Sequence, residues 1–377
     1  MFAPGHDNLD HRVNRTIKTI LAVGHNLVVY YEENRLKGSA ADANLISGAH
    51  IKKIPSVSIA YFVQVIKQIR KARAANDRVT VYVHDSGFIG LIICAICTWG
   101  KRSGDKVIFD YHDSLEWELY HHSRKVTWPG WIGVSMVTTM RLACKYFLKN
   151  FISVDLIVGI SNSQIEQLKN RFGIRAGKEL VIPNTRNRVD VEAGREGPAA
   201  ILWIGNISQG RRFELAFDLQ ARLNAKFKNF QVQIIIAGKR YNHSAESSIK
   251  AGHVIELGAF NSDMDIVSMT KKWKTIGIFF GWDDPHKTEI NAISSVNKIY
   301  SYVNTVTPFL LPADQINMIE SLGIPQAFLF KSNEECAQKF EWISNNYLLA
   351  QKMVMKIKHE AIWDAGLLDI LEAEFDS

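Results

Sequence analysis

The chain is poor in the features that mark several protein classes. Four cysteines and nine prolines among 377 residues are too few for a disulfide-stapled scaffold or a proline-rich linker protein. The longest uncharged apolar stretch, Gly87 to Gly100 (GFIGLIICAICTWG), falls short of the ~20 residues that span a bilayer and predicts a buried helix. The opening MFAPGHDNLDHRV lacks a basic segment followed by an apolar one, so no secretory signal is expected and the cytoplasm is the expected compartment. No single-residue tract and no self-similar period stands out, which argues against low-complexity and solenoid architectures. Cys94 and Cys97 form a CxxC inside that same apolar stretch. With no second pair to complete a zinc site, they read as two small buried hydrophobes on one helix in preference to a redox or metal centre.

What is present is a folding composition: 47% hydrophobic and 22% charged residues, with 45 basic against 38 acidic side chains for a net charge of +7. That leaves room for about two domains. Val13, Ile17, Ile20 and Leu21 recur at helical spacing ahead of Gly24, and LVVYY at 27–31 follows as a strand. Helices are then predicted near 57–72, from 87, after the strand at 106–111 on to about 150, and from Ser161 or Ser163. Strands alternate with them at 78–84, 106–111 and 155–160, with VIPN at 181–184 closing the series. Between 185 and 199, TRNRVDVEAGREGPA is charged and aperiodic and reads as an exposed linker.

A second series starts after it. Strands are predicted at 200–204 (AILWI), 232–237, 253–257, 276–280, 308–312 and 326–330, with helices at 211–227, 263–273 and 296–304 and two final helices. Short apolar strands alternating with helices imply parallel sheets covered on both faces. The expected fold class is therefore α/β, two tandem doubly wound domains, with ligands at the carboxyl ends of the strands facing each other across a cleft.

Several motifs occur in order over almost the whole chain. They are Asp10-x-Arg12-Val13 with Gly24-His25; His84-Asp85; FDYHD at 109–113; ISNSQIEQLKNRFGI running to VIPNT; ILWIGNISQGRRFELAFDL; NKIYSYVNTVTPFLL; and Ala361-Ile362-Trp363 near the end. Collinear, they resemble the GT-B glycosyltransferases, and in particular the large retaining family that uses nucleotide-sugar donors. The resemblance implies two Rossmann-like domains. Residues 1–190 would bind the acceptor, with a C-terminal helix at 348–377 crossing back onto them, and residues 191–347 would bind the donor. The strand that the family carries ahead of its D-x-R-V has almost no room before Asp10, so either a shortened element or an alternative start is expected there.

The chemistry demanded by such a transfer is stabilisation of a departing nucleoside diphosphate, which calls for fixed positive charge and backbone donors. Arg211 and Arg212 follow the glycine-bearing loop 205–210 at an expected helix start, where guanidinium groups suit phosphate; the competing reading is a pair of solvated arginines. The resemblance adds Gly205, Asn206, Lys298, Ser301 and Tyr302 to the donor side. Asn206 stands where the family commonly has a basic residue, Ser301 where it has a ribose-binding glutamate, Val306 where it has a glycine, and Ile293 where many relatives have a second glutamate. His112 matches the family's histidine near the anomeric carbon, with Asp113 or Asp110 to orient it, and Asp85 is a second catalytic candidate. His84, Asp113, Asp10 and Arg12 complete the acceptor side. No cofactor and no metal are expected beyond the UDP- or GDP-sugar co-substrate, since Asp283-Asp284 beside a proline reads as a loop or acceptor-recognition feature.

Between 121 and 150 the sequence interleaves Arg124, Lys125, Arg141, Lys145 and Lys149 with Trp128, Trp131 and Phe147. Such a face suits an anionic bilayer surface and, through the resemblance, a glycan or lipid-linked acceptor at the inner face of the cytoplasmic membrane. A core-packed helix with a solvated basic edge is the equal alternative. No nucleic-acid module is present, and none is expected to bind. The function implied is transfer of a sugar to a surface-polysaccharide precursor. The competitors are a catalytically inactive partner or scaffold subunit, motivated by Asn206, Ser301 and Val306, and a sugar-nucleotide epimerase of the same fold.

Overall fold

The computed structural model describes residues 1–4, 11–35, 48–56, 58–84, 88–111, 152–182, 189–191, 194–205, 212–226, 231–238, 254–258, 263–281 and 297–357, together with 135, 139, 142 and 146. These fall into two compact units, one up to residue 182 and one from 189 onward.

In the first unit the order is α1 (His11–Ala22), β1 (Val28–Glu32), β2 (His50–Ile54), α2 (Ile59–Ala75), β3 (Thr80–His84), α3 (Phe88–Thr98), β4 (Lys106–Tyr111), β5 (Ser153–Gly159), α4 (Asn162–Phe172) and β6 (Arg175–Val181). Strands β3 to β6 pair side by side in parallel, and β1 pairs with β2 in parallel. A shortened element, one of the two alternatives, is present. Phe2 bridges Tyr30 of β1 and Val83 of β3, its N–H donating to Tyr82 O at 2.8 Å and its carbonyl accepting from His84 N at 2.9 Å.

The two faces of this sheet follow from the two-residue period of a strand. Val81, Val83, Val107, Phe109 and Tyr111 pack with Tyr61, Val65 and Ile69 of α2, Leu91 of α3 and Phe172 of α4. Tyr82, Ile108, Leu156 and Val158 project to the other side, where Val13, Ile17 and Ile20 of α1 cover them. Cys94 and Cys97 are buried on α3, and burial pushes the Cys97 thiol up to about 12. A thiol held protonated in this way is an inert core group. The helix expected at Ser161 is α4: Ser161 Oγ accepts from Gln164 N at 3.2 Å, and Gly173 closes the helix in the left-handed conformation.

Two strands are absent from the expected series. The exposed residues of HIKKI in β2 and RAGKELV in β6 dominate their burial patterns. These strands lie at the two outer ends of the pairings, where charged side chains keep a sheet edge from pairing further. Without an apolar run or clean alternation they left no strand signal.

In the second unit the order is β7 (Ala199–Ile204), α5 (Glu214–Lys226), β8 (Gln233–Ala237), β9 (Val254–Gly258), α6 (Asp263–Thr270), β10 (Lys274–Ile278), α7 (Asn297–Asn304), β11 (Phe309–Pro312), α8 (Ile316–Leu322), β12 (Leu329–Phe330), α9 (Asn333–Asn345) and α10 (Tyr347–Met355). The sheet is parallel throughout with strand order β12-β11-β10-β7-β8-β9. The chain thus winds outward from β7 to β9 and then restarts on the other side of β7 with β10. This reversal is a topological switch point, where the connections leaving β7 and β10 diverge and open a crevice.

Part of the expected exposed linker is in fact tied to this unit. Arg195 is buried, its Nη1 donating to Thr275 Oγ1 at 2.8 Å and Thr270 Oγ1 at 3.0 Å, while Gly194 N donates to Gln351 Oε1 at 2.8 Å. Charge and lack of period concealed this because the partners are hydroxyl and amide groups brought by distant elements. Helix α10, which overlaps the start of the helix expected from 348, packs on this unit, where Tyr347 donates to Thr275 O at 3.0 Å. Residues 358–377 lie outside the described residues.

Candidate functional site

At the carboxyl end of β7 the backbone makes a close approach that only glycine permits. Gly205 has φ +98°, and its N–H donates to Ala237 O at 2.7 Å at the end of β8. A Cβ on the following Gly238 would lie 2.3 Å from Gly205 O, so the ends of β7 and β8 are pressed together without side chains between them. Arg212 stands at the entry to α5 with a left-handed φ of 52°, and its carbonyl accepts from Leu215 N at 3.1 Å. An arginine in that conformation is uncommon. It directs the chain from the loop into the first turn of α5.

Lys298 is the second residue of α7 and is 4% exposed. Its Nζ lies 3.7 Å from the centroid of the Trp203 ring on β7 and 5.3 Å from that of Phe279, which follows β10. Trp203 in turn meets Phe213, the neighbour of Arg212, edge to face at 5.0 Å. The ammonium, the entry to α5 and the ends of β7 and β10 thus surround one indole at the switch point.

Ser301 is buried, and its carbonyl accepts from Thr305 N at 3.0 Å and Thr305 Oγ1 at 2.8 Å. Tyr302, expected among the donor contacts, is instead a core residue. It is fully buried and donates to Leu202 O at 2.8 Å, and a Cβ on Gly277 would meet its ring at 2.6 Å. Burial holds its phenol above the ordinary value. Val306 ends α7 at φ 49°, with Thr307 N donating to Tyr302 O at 2.9 Å and Val306 N to Val303 O at 3.2 Å. This is a Schellman closure whose left-handed position glycine usually fills. The glycine expected from the resemblance therefore has a conformational reason, and valine takes that conformation here.

In the first unit the structure brings together Arg12 and His84, both expected on the acceptor side, with Asp110. Arg12 Nη2 donates to Asp110 Oδ1 at 2.7 Å, and Asp110 Oδ2 lies 2.8 Å from both Tyr82 Oη and His84 Nδ1. His84 and Asp110 are fully buried, and they face each other across β3 and β4 at the carboxyl ends of those strands. An ionised carboxylate only accepts, so Nδ1 of His84 carries the hydrogen. Burial first, and the Asp110 charge second, raise the Tyr82 phenol well above its ordinary value, so it stays a donor. Asp110 therefore serves Arg12, Tyr82 and His84.

Tyr82 and Trp203 were not singled out from sequence. Each sits in an apolar strand run, and its contact is made by a residue far along the chain. His112, Asp85, Asp113, Asp10, Asn206 and Arg211 lie outside the described residues, as do Asp283, Asp284 and Ile293.

No protein-family model matches the chain, and no curated protein matches it. Among solved structures, the apo form of the lipopolysaccharide outer core galactosyltransferase WaaB is similar with a TM-score of 0.62 at 13% identity, over 100% of this chain and 98% of that one. WaaG, a glycosyltransferase involved in lipopolysaccharide biosynthesis, is similar with a TM-score of 0.61 at 10% identity, over 98% of each chain. A putative UDP-N-acetylglucosamine 2-epimerase from Listeria monocytogenes gives a TM-score of 0.55 at 10% identity, over 100% of this chain and 96% of that one. At such identities the likeness is one of fold, and it agrees with the two parallel α/β units and the switch point described above. The chain has the GT-B fold, with two Rossmann-like units in tandem.

Proposed function

We propose that the protein is a glycosyltransferase of surface-glycan synthesis. It moves a sugar from a nucleoside diphosphate donor, UDP- or GDP-linked, to a glycan or lipid-linked acceptor, with retention of configuration and without a metal ion. The observation that carries this reading is the Lys298 ammonium at the switch point of the second unit, beside the close-packed end of β7 and the entry to α5. Ligands of open α/β sheets bind there, and fixed cations with helix-start amides suit a diphosphate.

In the step itself an acceptor hydroxyl oxygen bonds to the anomeric carbon as the bond from that carbon to the β-phosphate oxygen breaks. The acceptor proton passes to the leaving phosphate oxygen. Lys298, Arg212 and Arg211 offset the charge that develops on the diphosphate. His112, two residues beyond the anchored Asp110, is the group assigned to the transferred sugar, with Asp85 after His84 assigned to the acceptor. The resting place of a lipid-linked acceptor is assigned to 121–150, where Leu142 and Tyr146 are half or more exposed amid Arg141, Lys145 and Lys149. Among the described residues no helix is long and apolar enough to cross a membrane.

The test is calorimetry or thermal shift with a panel of UDP, GDP, CMP, TDP and ADP sugars, with and without Mg²⁺. Metal-independent binding of one nucleotide, followed by transfer that His112→Ala abolishes, is the expected result. The likeness in fold to a putative UDP-N-acetylglucosamine 2-epimerase keeps a second reading in view: conversion of the nucleotide sugar with no acceptor present would select it. Silence across the panel, with a lipid-linked acceptor added, would select the inactive-partner reading.

A further inference from the structure

The placement of Lys298 raises a question that charge alone does not answer. A cation in the first turn of a helix opposes the macrodipole, and this one is also nearly withdrawn from water. Its ammonium lies over the face of Trp203, on the strand that borders the switch point, and within reach of the Phe279 ring. Trp203 is fully buried, and its indole N–H has no hydrogen-bond acceptor among the described residues. A buried N–H without a partner is unfavourable. Phenylalanine would fill much of the same space without that penalty, and Phe213 already supplies an edge-to-face contact there. What indole offers beyond phenyl is the strongest π face for a cation.

We propose that Trp203 is a positioning residue of the donor site: its ring holds the Lys298 ammonium at the carboxyl end of β7, aimed at the switch point, and keeps it there when the donor diphosphate binds. The proposal rests on the reading that the chain binds a nucleoside diphosphate sugar. Before donor arrives, the ring already covers one side of the ammonium. The lysine is therefore partly ordered and largely desolvated before it meets phosphate, which reduces the reorganisation that binding requires.

The experiment is a double-mutant cycle on the full chain, with UDP and GDP as titrants in calorimetry and tryptophan emission as a second readout. Lys298→Met is expected to weaken the nucleotide that binds wild type. Trp203→Leu should weaken it by roughly three- to thirtyfold, the span from an exposed to a desolvated cation–π contact, and Trp203→Phe by less. The Trp203→Leu/Lys298→Met double variant should be no weaker than Lys298→Met alone, because the ring acts through the lysine. Nucleotide should change the emission of wild type and leave that of Trp203→Phe nearly unchanged.

Equal affinities of wild type and Trp203→Phe with identical emission responses would overturn the proposal, as would additive losses in the double variant. Trp203→Phe keeps the test decisive if Trp203→Leu does not fold. Absence of nucleotide binding by wild type itself would instead remove the functional reading beneath the proposal. Retained nucleotide binding without Trp–Lys coupling would remove the proposal alone.

Discussion

Asp110→Asn is expected to be among the most damaging single-atom-scale changes in the first unit. The carboxylate is fully buried, and Arg12, Tyr82 and His84 all lie within 2.7–2.8 Å of its two oxygens. An amide keeps one oxygen acceptor and turns an NH₂ group toward neighbours that were themselves donating. More important, Arg12, whose side chain is 8% exposed, loses the Asp110 charge from a buried ion pair. Removing one partner of a buried ion pair costs about 3–5 kcal/mol, a factor of roughly 10² to 10³ or more in the opening equilibrium. The assay is native-state hydrogen exchange read by mass spectrometry on peptides covering β3 and β4. Protection there should fall by about that factor, while peptides covering β7 and β8 in the second unit stay as in wild type. Arg12 also reaches Ile182 O at 3.4 Å, so the end of β6 should loosen with them. Protection of β3 and β4 within about threefold of wild type, roughly 0.6 kcal/mol, would refute the claim that this carboxylate anchors the strand ends.

Two further expectations come from other parts of the fold. Gly277→Ala would place a methyl 2.6 Å from the ring of Tyr302, which is fully buried and tethered by its hydroxyl. Overpacking of this kind costs about 1–3 kcal/mol, visible as a lower melting temperature, and adding Tyr302→Leu should give a loss smaller than the sum of the two singles. Burial pushes the Asp105 carboxyl up, but hydrogen bonds from the Arg102 side chain and from the amides of Arg102 and Val79, with the Arg73 charge, outweigh it and hold the group below 3.8. Its folded value is thus below its unfolded value, so its contribution is complete above about pH 4 and is lost as pH falls through the folded value. Denaturant titrations should find Asp105→Asn less stable than wild type at pH 7, with the gap closing toward pH 3; a constant gap would refute this linkage.

The fold class was legible in the residues alone, because strands buried on both faces must be apolar almost throughout. VIFDY and AILWI announce themselves as β4 and β7, and Ser161 or Ser163 offered the start of α4, of which the structure uses Ser161 as the cap, with Gly173 closing the helix. The sequence also placed Gly205, Arg212 and Lys298 at element ends, where the structure has them. Edge strands were hidden for the converse reason: β2 and β6 show solvent much of their length and carry lysine, arginine and glutamate.

Which side chains meet was settled by packing. Arg12 and Asp110 are 98 positions apart, and nothing in either local stretch indicates the other. Tyr302 was drawn into the core by the missing Cβ of Gly277, and Arg195 was drawn in by two threonines of distant elements. The Lys298 ammonium found its ring on a strand set beside it by the reversal of winding at β7. Period and capping are properties of neighbouring residues. Contacts such as these arise from the order in which parallel strands are laid down, which no local pattern encodes.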